Sequence, residues 1–149
     1  MSMEVTVRIL RPDDLDAIVA IDEKITGTSR PEYYQNKIAL AELHDAQINA
    51  SLVAEAGGKV IGFLMGTLVF GEFGIPDASA VIDTLGVDPD CQDRGAGGLL
   101  FDQFTTNMRV AQVERIYTMV DWKDVNLMKF FSNMNLVPSQ RLSLELKLN

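Results

Sequence analysis

The sequence has little that would support metal or redox chemistry. Its 149 residues hold one cysteine, Cys91, and one histidine, His44. A single cysteine excludes an intramolecular disulfide and a cysteine metal cluster, and a single imidazole leaves no second histidine for a two-histidine metal site, so no metal is expected. An excess of positive charge is also missing: 13 Lys and Arg stand against 21 Asp and Glu, a net charge of −8. Nucleic-acid binding needs a basic face, so no nucleic-acid partner is expected. The acidic balance suits a cationic partner, although it serves solubility equally well. Long apolar runs are absent too. The longest uncharged stretch, residues 60–71, is about half a membrane span, and no membrane association is expected. The first residues, Met1-Ser2-Met3-Glu4-Val5, show neither the basic segment nor the apolar run of a signal peptide, which points to a cytoplasmic protein. Without repeats, low-complexity segments or linkers, one domain over residues 1–149 is expected.

What is present is clear periodicity. Val5, Val7 and Ile9 alternate with Thr6 and Arg8 as in a half-buried strand. Leu15, Ile18 and Val19 follow an acidic turn at helical spacing. Ser29-Arg30-Pro31-Glu32 has the form of a capping box with proline in the first turn, and Tyr34, Ile38 and Ala41 would be the buried stripe of that second helix. Leu52–Ala56 and Lys59–Phe70 flank Gly57-Gly58 as a hairpin, and another apolar strand runs from Ala78 to Val87. Leu100, Phe104, Met108 and Ala111 mark a long amphipathic helix, 116–120 a short strand, and Leu127, Phe130, Phe131 and Met134 a further helix. Leu142, Leu144, Leu146 and Leu148 alternate with polar residues, which predicts a last strand. Strands joined across the long helix should be parallel, in a mixed sheet.

The run Val87-Asp88-Pro89-Asp90-Cys91-Gln92-Asp93-Arg94-Gly95-Ala96-Gly97-Gly98-Leu99-Leu100 lies between a strand and the long helix, where sheets of this kind bind ligands. A helix N-terminus presents unpaired N–H groups and the positive end of the dipole to a phosphate. Gly95, Gly97 and Gly98 clear side chains from that backbone, while Gln92 and Arg94 can add donors. A glycine cluster can also serve only to bring a helix close to a sheet. Other phosphate motifs fit badly. There is no Gly-Lys-Ser/Thr, and a dinucleotide fingerprint would need glycine at Leu100 and would not tolerate residues 88–94 after the strand.

Gln92-Asp93-Arg94-Gly95-Ala96-Gly97 matches Gln/Arg-x-x-Gly-x-Gly/Ala at every defined position. In this motif, and in element order over nearly the whole chain, the sequence resembles the GNAT superfamily of N-acetyltransferases. The resemblance implies a single α/β (α+β) domain with a mixed, mostly antiparallel sheet, a splayed parallel strand pair and helices on both faces. It implies acetyl-CoA as co-substrate, with the pyrophosphate on Gln92, Asp93, Arg94, Gly95, Ala96, Gly97 and Gly98. The pantetheine arm would lie along the backbone of Leu85, Gly86 and Val87, with Gly86 apt for the bulge and an N–H near Val87 polarising the thioester carbonyl.

The family attacks the thioester directly with a neutral amine, so a group must take the ammonium proton. Asp83, the one charge in the apolar run Ala80–Leu85, is the first candidate and Asp121 the second. A strand-edge carboxylate bonded to the backbone or an arginine is the other reading of Asp83. In the family's late pattern Asp124 stands for asparagine, Phe131 for the tyrosine that protonates the departing thiolate, and Asn135-Leu136 for Gly-Phe. Phe131 has no proton to give. Cys91 has no histidine near it in sequence and reads as a loop residue, and His44 as a surface residue. Arg30, Tyr33 and Tyr34 fall where the family builds its acceptor wall, one tyrosine packing and the other binding; Trp122 reads as cover for the core rather than as a flank of the acceptor pocket.

The implied activity is acetyl transfer to a primary amine, either a small molecule or a peptide N-terminus. The Val-Asp-Pro-Asp run is similar to that of the branch acting on ribosomal-protein N-termini. The rival reading is a non-catalytic acyl-CoA-binding sensor or subunit, which Phe131 favours and Asp83 opposes. A homodimer through the last strand is permitted.

Overall fold

Strand β1 (Val5–Ile9) pairs antiparallel with β2 (Ser51–Ala56), with Val5 opposite Ala56 and Ile9 opposite Leu52. The computed structural model describes residues 4–44 and 50–149. Between these strands lie a short 3-10 turn at Pro12–Asp14, helix α1 (Leu15–Thr26) and helix α2 (Pro31–His44). The turn into α1 is fixed by the Asp14 carboxylate, which accepts the Arg11 N–H at 2.7 Å and two guanidinium N–H groups of Arg8 at 2.8 and 2.9 Å. α1 ends at Gly27, whose φ of 81° is open to glycine at little cost.

β2 turns into β3 (Lys59–Phe70) through Gly57 and Gly58, with φ of 60° and 77°. Two consecutive positive φ values are what a two-residue hairpin of this twist needs, and glycine supplies both. β3 pairs antiparallel with β4 (Ala78–Val87), and β4 pairs in parallel with β5 (Arg115–Thr118) across helix α3 (Ala96–Val110). The five strands run in the order β1-β2-β3-β4-β5.

Helices cover both faces. On one, Ile18, Ile21, Tyr34 and Ile38 of α1 and α2 pack with Val53, Phe63 and Met65. On the other, Leu100 and Phe104 of α3 sit over Gly62 and Gly66; a Cβ at Gly66 would meet the Phe104 ring at 2.6 Å, so the bare backbone admits the ring. Each such large side chain contributes roughly 1.5–3 kcal/mol by leaving water. The predicted mixed, mostly antiparallel sheet with a parallel pair is therefore the observed one.

The chain divides into two compact units, residues 1–119 and 120–149. The second contains helix α4 (Val125–Asn133), whose N-cap Asp124 accepts the Leu127 N–H at 3.1 Å. Its end turns at Asn135, with φ of 72°, the left-handed geometry that asparagine tolerates. The last predicted strand is not formed. Residues 140–149 adopt neither helix nor strand, and Leu142, Leu144, Leu146 and Leu148 are all more than 80% exposed. Alternation makes a segment fit to be a strand, but a strand forms only against a partner edge. Strand β5 is also shorter than the predicted 116–120, ending at Thr118.

Candidate active site

β4 and the start of α3 carry the predicted site. Met65 pairs with Thr84 and Gly66 with Ile82, so Asp83 is an extra residue on β4, a β-bulge. The parallel pairing with β5 runs from Ser79 to Ile82 and stops there. Residues 83–87 are held by β3 on one side only, so their other backbone edge faces no strand of the sheet. Leu85, Gly86 and Val87 thus lie on an open strand edge.

The bulge is at Asp83 and not at Gly86, which stays in register opposite Phe63. Gly86 has another task. A Cβ there would come within 2.8 Å of the Phe63 ring and 3.3 Å of Ile25, so its glycine lets the α1 face close on the strand.

The exit from β4 is locked by Asp88, a buried carboxylate whose role the sequence pattern did not single out. Its Oδ1 accepts the Asp90 N–H at 3.0 Å, an Asx turn, and its Oδ2 accepts Lys24 Nζ at 3.0 Å. Burial pushes the Asp88 carboxyl upward, but the Asp90 N–H and the Lys24 ammonium outweigh it and hold it below the usual range. The Asp-Pro-Asp spelling carried the turn signal; Lys24, 64 residues away in sequence, left none. Pro89–Arg94 forms a 3-10 turn, and Gly95, with φ of 74°, reverses the chain into α3.

Gln92, Asp93 and Arg94 are exposed on this turn, and Ala96, Gly97 and Gly98 are the first residues of the helix. Among the described residues no side chain caps the α3 N-terminus. Its first N–H groups therefore have helix-end polarity and free donors, with two arms of polar side chains beside them. These residues fit an anionic ligand such as the pyrophosphate of an acyl-CoA.

Asp83 differs from its expected setting. It is not a charge sunk in an apolar strand: the bulge turns it outward, its side chain keeps about a third of its surface (35%), and it pairs with Lys37 Nζ at 2.7 Å. Thr84 Oγ1 donates to its other oxygen at 2.6 Å. Lys37 Nζ also lies 5.3 Å from the centre of the Tyr33 ring, so carboxylate and aromatic face together hold one ammonium. Lys37 was not singled out in the sequence. It stands one turn after Tyr33 on α2, and nothing local announces a partner 46 residues on.

Of the two tyrosines one is buried and the other open. Tyr34 has no exposed surface, and its hydroxyl donates to Asp22 Oδ1 at 2.8 Å; Arg30 adds two bonds to the same carboxylate, at 2.7 and 2.8 Å. The Arg30 hydrogen bonds, against a desolvation penalty and with help from Tyr34, hold the Asp22 carboxyl below its usual range, while burial pushes the Tyr34 hydroxyl upward. Tyr33 is exposed, with the Arg30 guanidinium 4.9 Å from its ring centre.

Asp121, Trp122, Asp124 and Phe131 lie in the second unit. Asp121 is exposed and accepts the Lys123 N–H at 2.8 Å in a turn beyond β5. Asp124 caps α4, and Phe131 is buried with its ring edge-on to Phe130. Trp122, expected to cover the core, is 88% exposed instead, because it follows the end of β5 in an open turn. Cys91 is partly exposed in the loop. His44 closes α2, and its side chain lies outside the described residues. Among the described residues no helix is long and apolar enough to cross a membrane.

The chain matches the model of the Acetyltransferase (GNAT) family over residues 15–134. No curated protein matches it. Among solved structures it is similar to the aminoglycoside N-acetyltransferase AAC(6')-Iy in complex with CoA, at 14% identity and a TM-score of 0.79, covering 99% of this chain and 97% of that one. It is also similar to a ribosomal-protein-alanine N-acetyltransferase from Brucella melitensis biovar Abortus 2308, at 14% identity and a TM-score of 0.76, covering 97% of this chain and 100% of that one. A third is Ard1 from Thermoplasma volcanium, at 20% identity and a TM-score of 0.73, covering 91% of this chain and 84% of that one. At these identities the likeness is one of fold.

Proposed function

From its place in the Acetyltransferase (GNAT) family, to which this chain belongs, we propose that the protein transfers an acetyl group from acetyl-CoA to a primary amine by direct attack. The observation that carries this reading is the edge of β4 left open after Ile82, ending at the uncapped N-terminus of α3. Gln92, Asp93, Arg94, Gly95, Ala96, Gly97 and Gly98 would receive the pyrophosphate. The backbone of Leu85, Gly86 and Val87 would bind the pantetheine amides as an added strand, and an N–H at Val87 would polarise the thioester carbonyl.

Asp83 is the proposed general base. An alkylammonium has a pKa near ~10 and must lose a proton before it attacks. Its proton passes to Asp83, the amine nitrogen adds to the carbonyl carbon, and the carbon–sulfur bond breaks. Lys37 holds the carboxylate in the resting chain, so the acceptor's ammonium takes over its place. Asp121 is the second candidate base, and Asp124 and Phe131 are the residues matched to the family's late CoA-binding pattern. Phe131 cannot protonate the leaving thiolate. A thiol pKa near ~8.5 makes the thiolate a tolerable leaving group, so water suffices for a slower reaction.

The acceptor is proposed to be a small-molecule amine or a protein N-terminus, the classes named for the aminoglycoside and ribosomal-protein enzymes of the same fold. The reading places a single-domain protein, for which a homodimer is permitted, in the cytoplasm; the family match runs from the first unit into the second. A second reading, a non-catalytic acyl-CoA sensor, draws on two observations: Lys37 neutralises Asp83, and the late site carries Phe131.

Thiol release from acetyl-CoA with peptides, polyamines, amino acids and amino sugars separates the two. Turnover with any amine is the expected result, and Asp83→Asn should flatten the rise of rate with pH. Tight acetyl-CoA binding without turnover on the whole panel would establish the sensor.

A further inference from the structure

One ammonium of this chain is held as a bound amine would be. Lys37 Nζ donates to Asp83 Oδ2 at 2.7 Å and lies 5.3 Å from the centre of the Tyr33 ring. A carboxylate on one side and an aromatic face on the other are what recognises a primary ammonium. Thr84 Oγ1 donates to the second Asp83 oxygen at 2.6 Å and orients the carboxylate. Only 22% of the Lys37 side chain is left to water. Lys24 is the other ion-paired lysine among the described residues, and its setting differs. Its partner Asp88 is buried and also accepts the Asp90 N–H, so that pair fixes a loop. Asp83 stands instead at the bulge, where pairing with β5 has just ended and the open edge begins.

We propose that the chain acetylates its own Lys37, and that loss of this charge releases Asp83 to outside amines. The inference rests on the proposed function, in which the acyl-CoA arm lies along the backbone of Leu85, Gly86 and Val87 and Asp83 is the base. Leu85 is two residues beyond Asp83, about 7 Å along a strand. The flexible four-carbon stem of lysine can carry Nζ over that span. The lysine already on the base is then the first amine that an incoming thioester meets.

The step balances as transfer to any primary amine does. Asp83 takes one proton from the Lys37 ammonium, and the Nζ lone pair adds to the thioester carbonyl carbon. The carbon–sulfur bond breaks with its electron pair on sulfur. The nitrogen gives up a second proton, and the thiolate takes up one to leave as the CoA thiol. Nζ keeps one hydrogen as a neutral amide, and the proton on Asp83 passes to water. That amide has no charge with which to hold Asp83 or the Tyr33 face. The place of the Lys37 ammonium then stands open to an outside one, so self-acetylation is a priming step taken once per chain.

Peptide mass spectrometry tests it, on chain first cleared of acetyl groups by a lysine deacetylase and then incubated with acetyl-CoA and no amine. Lys37 should gain one acetyl group at a rate independent of chain concentration, and about tenfold or more faster than Lys24 or Lys59, because it is held in place. Asp83→Asn should slow that labelling about a hundredfold, the lower end of what a general base contributes, with acetyl-CoA affinity unchanged. Equal labelling of all lysines, or Lys24 ahead of Lys37, would show simple chemical acetylation and overturn the proposal. A rate that climbs with chain concentration would overturn transfer within one chain. Turnover of outside amines with Lys37 left unlabelled would overturn this inference alone, whereas failure to bind acetyl-CoA would overturn the proposed function with it. The release of Asp83 has its own readout. The acetylated chain and Lys37→Gln should both show a severalfold lower KM for cationic acceptors than Lys37→Arg, which keeps the charge and offers no lysine nitrogen. The same KM in all three would refute the priming role.

Discussion

Replacing Asp22 by alanine tests how the α1–α2 pair is held. The Asp22 carboxylate is buried and accepts three hydrogen bonds: from Arg30 Nε at 2.8 Å, Arg30 Nη2 at 2.7 Å and the Tyr34 hydroxyl at 2.8 Å. The three donors do not suffer equally. Arg30 keeps 40% of its side chain in water and can turn outward, so its share is small. The Tyr34 hydroxyl has no water to turn to, and an orphaned buried donor costs about 1–3 kcal/mol. Adding a modest loss for the arginine bonds, Asp22→Ala should cost about 2–4 kcal/mol. Tyr34→Phe removes the hydroxyl but leaves the carboxylate on Arg30, and should cost about 1.5 kcal/mol, the value of one bond to a charged acceptor. The two changes should not add. In the Asp22→Ala background the hydroxyl is already a liability, so a further Tyr34→Phe should be neutral or should recover stability. Urea unfolding followed by circular dichroism, at unchanged m-value, measures all four corners of this cycle. A double variant less stable than Asp22→Ala by the full Tyr34→Phe increment would refute the reasoning, since it would mean the hydroxyl had never depended on Asp22.

Gly86→Ala should cost about 1–3 kcal/mol by thermal or urea unfolding, because its methyl group would meet the Phe63 ring at 2.8 Å on the backbone edge next to the bulge; a neutral result would show that the ring moves freely. Lys37→Met should lower the KM for cationic acceptors severalfold while leaving acetyl-CoA affinity unchanged, since it frees Asp83 and the Tyr33 face; an unchanged KM across the amine panel would separate that carboxylate from acceptor binding. Stability should fall in acid. Asp14, Asp22 and Asp88 all have folded-state pKa values held below the ordinary one, so the stability they confer is complete above about pH 4 and is lost as pH drops through the folded values. Urea midpoints between pH 6 and pH 2 would show it, and Asp22→Asn should make the decline shallower; an equally steep decline would remove Asp22 from the account.

Most elements were legible because their signals are local. Gly57-Gly58 demanded a tight turn, Leu100, Phe104 and Met108 a helix stripe, and Gly95 with its neighbours an uncapped helix start. The anion loop could be read for the same reason, as its donors are consecutive in sequence. What stayed hidden were partners across long separations: Lys24 on Asp88, Lys37 on Asp83, Arg30 and Tyr34 on Asp22. A lysine on a helix carries the same pattern whether it faces water or a carboxylate 46 residues on. The alternation at 142–148 was legible as strand-forming pattern, but pattern does not supply an edge, and the segment is unpaired.

The bulge at Asp83 shows how a single residue can mislead a count of alternation and at the same time build a site. Before it, Ala80 and Ile82 lie on the α3 face; after it, Leu85 and Val87 do, opposite Leu64 and Gly62. Counting by twos from Ala80 would put Thr84 and Gly86 there instead and would bring Leu85 and Val87 to the α1 face, where Phe63 leaves no room even for a Cβ at position 86. The same inserted residue ends the pairing with β5, since the ladder stops at Ile82, immediately before it. The Asp83 carboxylate at the bulge keeps part of its surface in water, so the charge avoids the cost of full burial. The open edge, the partly exposed carboxylate and the shift of face therefore meet at one residue. Asp83 and the slot at Leu85–Val87 belong to one device, and a ligand lying along that edge begins within two residues of the only carboxylate on β4.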